Sequence, residues 1–201
     1  MIDIEKNTVE QTDNKIRFSA KDVFEWLEVI ISALVAVVVI FTVIFRVATI
    51  EGSSMENTLF ENQKVIITNW FYTPEKGDIV VVSRNADNNA TSIENDGNGP
   101  IIKRVIATEG QLVDIKGGVV YVDGVPLDEP YTKTPTNQLY DVEFPVYVPE
   151  GHIFCLGDNR NESLDSRSSR IGNDGMIDVR YVLGKAEFRI LPLSDFGRID
   201  K

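Results

Sequence analysis

The sequence predicts a mainly β protein that begins with one apolar helix. Two observations predict this fold class. Beyond residue 48 the chain contains short runs rich in valine and isoleucine, separated by turn-forming sequences such as Lys116-Gly117-Gly118 and Val122-Asp123-Gly124. Before residue 48, the run from Val29 to Phe45 holds 17 residues and no charge. Short runs bounded by turns indicate strands, whereas a long uncharged run indicates a helix.

The apolar run is predicted to be a transmembrane anchor over residues 23–47, preceded by a flexible polar tail over residues 1–22. Val23, Phe24, Trp26 and Leu27 extend the run to the roughly 20 residues that a bilayer requires. A buried core helix would carry a polar stripe, which this run lacks. A cleavable signal peptide would start with a short cationic segment and end at a small-residue site, which this run also lacks.

The charges on either side of the apolar run predict its orientation. Lys15, Arg17 and Lys21 precede the run, whereas Arg46 follows it. This asymmetry favours a cytoplasmic N-terminus. We therefore expect a single-pass protein of the cell membrane whose domain over residues 48–201 lies outside the cytoplasm.

That domain is expected to be all β, with little helix. Two polar stretches, residues 84–100 and 132–138, are predicted to be surface loops. The predicted strands share short length and β-branched residues. They are Lys64–Asn69, Ile79–Ser83, Ile101–Ala107, Leu112–Ile115, Val119–Val122, Val142–Val148, Ile153–Leu156 and Lys185–Leu191.

Composition excludes several classes of function. The chain has 201 residues and a formal net charge of −11, so nucleic acid is an unfavourable partner because phosphates need clustered cations. Cys155 is the only cysteine, which excludes an intramolecular disulfide and any multi-cysteine metal site. We predict no cofactor and no metal. The sequence does not indicate the oligomeric state.

A candidate nucleophile follows the apolar run, in Gly52-Ser53-Ser54-Met55. A serine acts as a nucleophile only when a base accepts its proton. The only histidine, His152, lies in a turn-like sequence, and the segment around Ser54 does not match the G-x-S-x-G nucleophile elbow. We interpret His152 as structural. The other base available to a serine is a lysine that burial keeps neutral.

Lys103 is the best candidate for such a base. It lies in the predicted strand Ile101–Ala107, where alternation places it on the same face as Ile101 and Val105. An apolar environment of this kind lowers the pKa of a lysine. The segment alone also allows another interpretation, in which Lys103 and Arg104 are an exposed charged pair on an edge strand.

A third segment, Gly157-Asp158-Asn159-Arg160 followed by Ser163-Leu164-Asp165-Ser166-Arg167, decides between these interpretations. Together with the Ser-Met loop ending in Thr58-Leu59, the Lys-Arg-Val-Ile strand and the late Gly184-Lys185-Ala186, it resembles the type I signal peptidases. These are membrane-bound Ser-Lys proteases that remove signal peptides from exported proteins. The resemblance covers most of the chain after the apolar run. It implies a coiled antiparallel β-sheet catalytic domain.

The resemblance also implies roles for individual residues. Ser54 is similar to the nucleophile of the family and Lys103 to its general base. The hydroxyl of Ser163 matches the one that orients the lysine. The backbone N–H of Ser54 would donate a hydrogen bond to the oxyanion. Gly52 stands where some members carry a serine, so it offers no side-chain donor.

Further residues match supporting and substrate-binding positions. Asp165 and Arg167 would form an ion pair that supports the site, with Arg104 as a further member. Shallow pockets for small substrate side chains, as in Ala-x-Ala sites, would be formed by Ile50, Gly52, Met55, Ile101 and Ile102. The implied substrates are signal-peptide-bearing preproteins, cleaved through an acyl-enzyme at a lipid bilayer.

Three alternatives stay open at this point. A self-cleaving transcriptional regulator with a Ser-Lys pair would need a helix-turn-helix region, which the sequence lacks. A thiol peptidase would use Cys155 with His152 and Arg160, but three-residue spacing places Cys155 and His152 on opposite faces of a strand. A catalytically silent, membrane-anchored β-domain that binds export partners would survive replacement of Ser54 and Lys103.

Overall fold

The computed structural model describes residues 19–83 and 99–199. The chain forms two compact units, residues 1–41 and residues 42–201. Most of the predicted tail, residues 1–18, lies outside the described residues. So does most of the predicted loop over residues 84–100, of which only Gly99 and Pro100 are described.

The first unit contains most of helix α1, Ala20–Ile44. The helix begins there because the Ser19 side chain accepts a hydrogen bond from the Lys21 N–H, while the Asp22 carboxylate accepts one from the Ser19 N–H. The last three residues of the predicted tail are therefore helical. The apolar side chains described along α1 are largely exposed within the chain.

Among the described residues, we find no helix that combines the length and apolarity needed to cross a bilayer. The predicted transmembrane anchor over residues 23–47 is therefore not confirmed. Within the predicted range, α1 ends at Ile44 and strand β1, Phe45–Thr49, follows it directly. Charges interrupt the N-terminal part of the helix at Lys21, Asp22, Glu25 and Glu28.

The second unit is mainly β, and its described strands all pair antiparallel. The strands are β1 Phe45–Thr49, β2 Lys64–Thr68, β3 Ile79–Val82, β4 Ile101–Thr108, β5 Leu112–Lys116, β6 Val119–Val122, β7 Val125–Pro126, β8 Val146–Tyr147, β9 His152–Leu156, β10 Ile177–Asp178, β11 Val182–Leu191 and β12 Gly197–Arg198. Over the described residues, the larger sheet has the order β1-β2-β11-β3-β4-β9-β10, with β12 beside β11, and the smaller has the order β7-β6-β5-β8. Three short 3₁₀ helices are described, Arg160–Glu162, Val179–Tyr181 and Leu193–Asp195.

The strand predictions were confirmed except at residues 142–148. Only Val146–Tyr147 is a strand there. Pro145 lacks a backbone N–H and cannot donate to a ladder, which keeps the strand short. The sequence did not predict β1 or the two-residue strands β7, β10 and β12. The stretch over residues 132–138 has no regular structure, as predicted.

Strand β4 is central to the larger sheet and carries the candidate base. It pairs with β3 on one side and with β9 on the other. Its residues from Ile102 to Ala107 are all buried, because core clusters cover the sheet on both faces. The interpretation of Lys103 and Arg104 as an exposed pair on an edge strand was therefore wrong.

Candidate active site

Ser54 lies in the loop between β1 and β2. The loop turns at Gly52, whose φ of +78° belongs to the left-handed region that glycine adopts without strain. Beyond the serine, the N–H groups of Thr58 and Leu59 both donate to the Met55 carbonyl, each at 2.8 Å. Met55 and Leu59 are buried in the same core cluster. Core packing therefore anchors the loop immediately after Ser54.

Lys103 reaches this loop from β4. Its Nζ lies 2.9 Å from Ser54 Oγ and 3.0 Å from the Ile102 carbonyl oxygen. Lys103 is only 4% exposed, whereas Ser54 is half-buried. The structure thus brings together Ser54 and Lys103, which the sequence predicts to react, although 49 positions separate them. At this distance a neutral lysine could accept the serine proton directly.

The loop after β9 contacts the serine loop through Asn159. The backbone N–H of Asn159 donates to the Ser54 carbonyl at 3.0 Å, and Asn159 Nδ2 donates to the Ser53 carbonyl at 3.1 Å. Asn159 is 2% exposed. The sequence motif contains Asn159 but gave it no role, because its two carbonyl partners are far away in the chain. Pairing of β9 with β4 brings the segments together.

Arg104 pairs with Asp158, which corrects the predicted association of Arg104 with Asp165 and Arg167. Its Nε and Nη2 each donate to one carboxylate oxygen of Asp158 at 2.8 Å, and both side chains are 1% exposed. Thr58 Oγ1 also donates to Asp158, at 2.5 Å. Sequence reasoning missed this partner. The reason is that Leu156 pairs with Arg104 across the sheet, which places Asp158 beside it.

The predicted ion pair between Asp165 and Arg167 is present and fully buried. Arg167 Nε donates to Asp165 Oδ1 at 2.7 Å, and Nη2 donates to Oδ2 at 2.8 Å. Asp165 also accepts the Gly157 N–H at 3.0 Å. Arg167 donates further to the carbonyls of Gln138 and Ser163. The ion pair therefore links the backbones of Gln138, Gly157 and Ser163.

Ser163 lies close to the Ser54 loop but does not make the predicted bond to Lys103. It is 1% exposed, and its Oγ has no hydrogen-bond partner among the described residues. The space between Ser163 and Ser54 is occupied by Gly157. A methyl group added at Gly157 would lie 2.2 Å from Ser163 Oγ and 2.6 Å from the Ser54 carbonyl oxygen.

Ser54 and Lys103 open into a cleft of about 380 Å³. Of the predicted substrate-binding residues, Ile50, Gly52, Ile101 and Ile102 line this cleft. Met55 is not among the residues that line it: its side chain is 1% exposed and packs in the core. The sequence could not distinguish an apolar pocket wall from an apolar anchor, because both positions require the same residue type.

Cys155 and His152, which a thiol peptidase would use, are not placed for that reaction. Cys155 is 0% exposed, and burial raises the pKa of its thiol well above the ordinary value, which disfavours the reactive thiolate. His152 Nδ1 lies 2.8 Å from the Glu150 carbonyl, and the residue lines a separate cleft with Tyr72 and Glu109. Among the described residues, we find no cluster of three or more His, Cys, Asp or Glu that could hold a metal ion.

Comparison with known proteins identifies the family. The family model described as "Signal peptidase, peptidase S26" matches residues 23–191. The chain belongs to the type I signal peptidase family. A signal peptidase I of Bacillus licheniformis is 30% identical over 199 residues, which cover 94% of this chain and all of that protein. A signal peptidase IB of Staphylococcus aureus strain COL is 34% identical over 197 residues, which cover 88% of this chain and 93% of that protein.

A solved structure is also similar to this chain. It is a signal peptidase I from Enterococcus faecalis V583, 26% identical, with a TM-score of 0.42 over 57% of this chain and 97% of that one. The family match and the two curated relatives support signal peptidase activity. They favour this activity over the alternative of a catalytically silent binding domain.

Proposed function

We propose that this chain is a serine endopeptidase that removes signal peptides from preproteins with a Ser54-Lys103 dyad. The observation that carries the proposal is the 2.9 Å contact between Lys103 Nζ and Ser54 Oγ at the base of a cleft. The mechanism requires Lys103 to be a neutral amine. Its burial favours that form, since desolvation disfavours the charge.

In the acylation step, Ser54 Oγ adds to the scissile carbonyl while Lys103 Nζ accepts the serine proton. The resulting oxyanion accepts a hydrogen bond from the Ser54 backbone N–H. When the intermediate collapses, the C–N bond breaks and Lys103 returns the proton to the departing amine. The mature protein leaves, and the signal peptide remains as an ester on Ser54.

Deacylation repeats these proton transfers, with water in place of the serine hydroxyl as the nucleophile. Lys103 accepts a proton from water, whose oxygen adds to the ester carbonyl. Collapse of the second tetrahedral intermediate breaks the bond to Ser54 Oγ, which recovers its proton from Lys103. The signal peptide is then released as a carboxylic acid. No metal or cofactor takes part in either proposed step.

The loop over residues 157–167 supports the dyad in this proposal. The ion pair of Asp165 with Arg167 holds the Gly157 N–H and the Ser163 carbonyl, and Arg104 holds Asp158. Side chains of a dyad work only when their positions are fixed. Ser163 completes the site if its hydroxyl turns toward Lys103, as the family resemblance implies.

The cleft is proposed to select substrates with a small residue before the scissile bond. Ile50, Ile101 and Ile102 provide an apolar lining next to Ser54. Branched residues close to the nucleophile leave little depth for a substrate side chain. An Ala-x-Ala sequence at the end of the signal peptide therefore fits this cleft better than a bulky one.

We propose that α1 attaches the chain to a lipid bilayer, on the side where signal peptides emerge. Apolar side chains on several sides of the helix are exposed within the chain, among them Phe24, Trp26, Leu34 and Phe41. From Val29 to Ile44 the helix carries no charge, and a helical segment that is apolar all round needs an apolar environment. Flotation with phospholipid vesicles tests this, since the full chain should float and a chain lacking residues 1–44 should float less.

Cleavage of a preprotein with an Ala-x-Ala junction tests the dyad. Detergent-solubilised wild type should cut at the junction, whereas Ser54→Ala and Lys103→Ala should lose activity by at least about 10³-fold, because residues of a nucleophile-base pair act as a unit. Exposed residues of the same types provide matched controls. Ser194→Ala and Lys64→Ala should retain wild-type rates.

Melting temperatures close to that of wild type would show that the inactive variants are folded. Retention of activity by folded Ser54→Ala or Lys103→Ala would contradict the dyad. Cleavage by all five proteins at equal rates would place the reacting residues elsewhere in the chain. If the wild type cleaves none of several preproteins, the proposed substrate class is contradicted.

A further inference from the structure

Asn159 makes an unusual pair of contacts with the nucleophile loop. Its backbone N–H and its side-chain Nδ2 donate to two successive carbonyls, those of Ser54 and Ser53, at 3.0 and 3.1 Å. Asn159 is 2% exposed, so water competes little for these bonds. The side-chain bond is the one that a substitution can remove. It holds the peptide unit that joins Ser53 to Ser54.

Both neighbours of Asn159 are held by buried ion pairs. Asp158 receives two hydrogen bonds from Arg104. Arg160, 1% exposed, donates to both carboxylate oxygens of Glu129 and, through Nε, to the Gly157 carbonyl at 3.0 Å. Asn159 is thus fixed on each side before it reaches the serine loop. A side chain held in this way can fix the orientation of the carbonyl that accepts its hydrogen bond.

The peptide unit that Asn159 holds contains the Ser54 N–H. This peptide is trans, so its carbonyl and its N–H point in opposite directions. Holding the Ser53 carbonyl toward Asn159 therefore directs the Ser54 N–H away from Asn159. We infer that Asn159 is a positioning residue for the oxyanion donor, an inference that rests on the proposed role of Ser54.

The chain just before this peptide gives it little support. Gly52 has φ +78° and no atom within 4 Å of the position that a Cβ would take. Glycine lets the Gly52-Ser53 peptide rotate at little cost, so the next peptide, Ser53-Ser54, is not held from that side. Rotation of the Ser53-Ser54 peptide would turn a carbonyl, and not an N–H, toward the reacting oxygen. The bond from Asn159 Nδ2 opposes that rotation.

Two substitutions test the inference on the full chain. Asn159→Ala removes the donor, and Asn159→Asp keeps the shape while facing the Ser53 carbonyl with an acceptor. We expect kcat to fall by about 10²-fold, as when an oxyanion donor is lost, with KM changed by less than about twofold. Asn69→Ala, at an exposed asparagine outside the serine loop and the loop over residues 157–167, is the matched control and should match wild type.

A second readout separates positioning of the donor from general support of the loop. A peptide aldehyde ending in alanine forms a tetrahedral adduct with Ser54, whereas the corresponding peptide amide only binds. In the Asn159 variants the aldehyde should bind about 10²-fold more weakly, in proportion to the loss of kcat/KM, and the amide should bind as to wild type. Equal weakening of both ligands would overturn the inference.

The wild-type protein provides an outcome that does not depend on folding of the variants. In a crystal structure of its aldehyde adduct, the Ser54 N–H should lie about 3 Å from the adduct oxygen while Asn159 Nδ2 still bonds the Ser53 carbonyl. A Ser53 carbonyl turned into the cleft would overturn the inference. So would an Asn159→Ala variant with kcat within about threefold of wild type while Ser54→Ala is inactive. If wild type is silent or Ser54→Ala cleaves, the proposed dyad fails instead.

Discussion

Gly157→Ala places a methyl group between the nucleophile loop and Ser163. The new Cβ would lie 2.2 Å from Ser163 Oγ, 2.5 Å from Ser163 Cβ and 2.6 Å from the Ser54 carbonyl oxygen. Carbon atoms in folded proteins pack at about 3.5–4.0 Å. A different rotamer of Ser163 relieves only the first contact. The other two require the backbone of one loop to move.

The necessary movement predicts a larger effect on catalysis than on stability. The Ser54 carbonyl must recede by roughly half an ångström or more to reach an ordinary contact distance. A displacement of about 1 Å in a reacting group lowers the rate by about 10²-fold. Overpacking of a core costs about 1–3 kcal/mol. We therefore expect kcat to fall about 10²-fold while the melting temperature falls by roughly 2–12 °C.

Preprotein cleavage and thermal unfolding of the same preparations measure both quantities. Gly197→Ala is the matched control, since no atom lies within 4 Å of its Cβ position. It should change neither the rate nor the melting temperature noticeably. A Gly157→Ala protein that cleaves within about threefold of the wild-type rate would refute the steric reasoning. It would show that the loops around Ser54 tolerate displacement.

Two further predictions follow from the titratable groups. Iodoacetamide should not inactivate the native protein, and Cys155→Ala should cleave at the wild-type rate. The reason is that Cys155 is fully buried and that burial raises the pKa of its thiol. Rapid inactivation by iodoacetamide would place the thiol in the reaction. Asp178→Asn should lower the melting temperature slightly at pH 7 but not in strong acid. Hydrogen bonds from Arg180 hold the pKa of Asp178 below its usual value, so the contribution of Asp178 is complete above its unfolded-state pKa and is lost as pH falls through the folded-state pKa. An equal deficit at both pH values would contradict this assignment.

Local sequence patterns predicted most of the larger strands, because burial of one or both sheet faces requires β-branched residues at regular positions. The same patterns failed at β1, Phe45–Thr49. Those residues continue the apolar composition of the helix, and only pairing with β2 makes them a strand. Residue propensities cannot locate the boundary between a helix and a strand when both elements favour apolar residues.

The sequence by itself predicted the family and the chemistry proposed for it. The resemblance predicted the Ser54-Lys103 pair and an ion pair between Asp165 and Arg167, since a resemblance depends on residue types within short motifs. Tertiary structure decided which of these residues meet and what holds them. Arg104 bonds Asp158 and not Asp165, Met55 packs in the core, and Asn159 bonds the Ser53 carbonyl. These contacts join segments about 50 to 110 positions apart, and strand register sets them, which local sequence does not record.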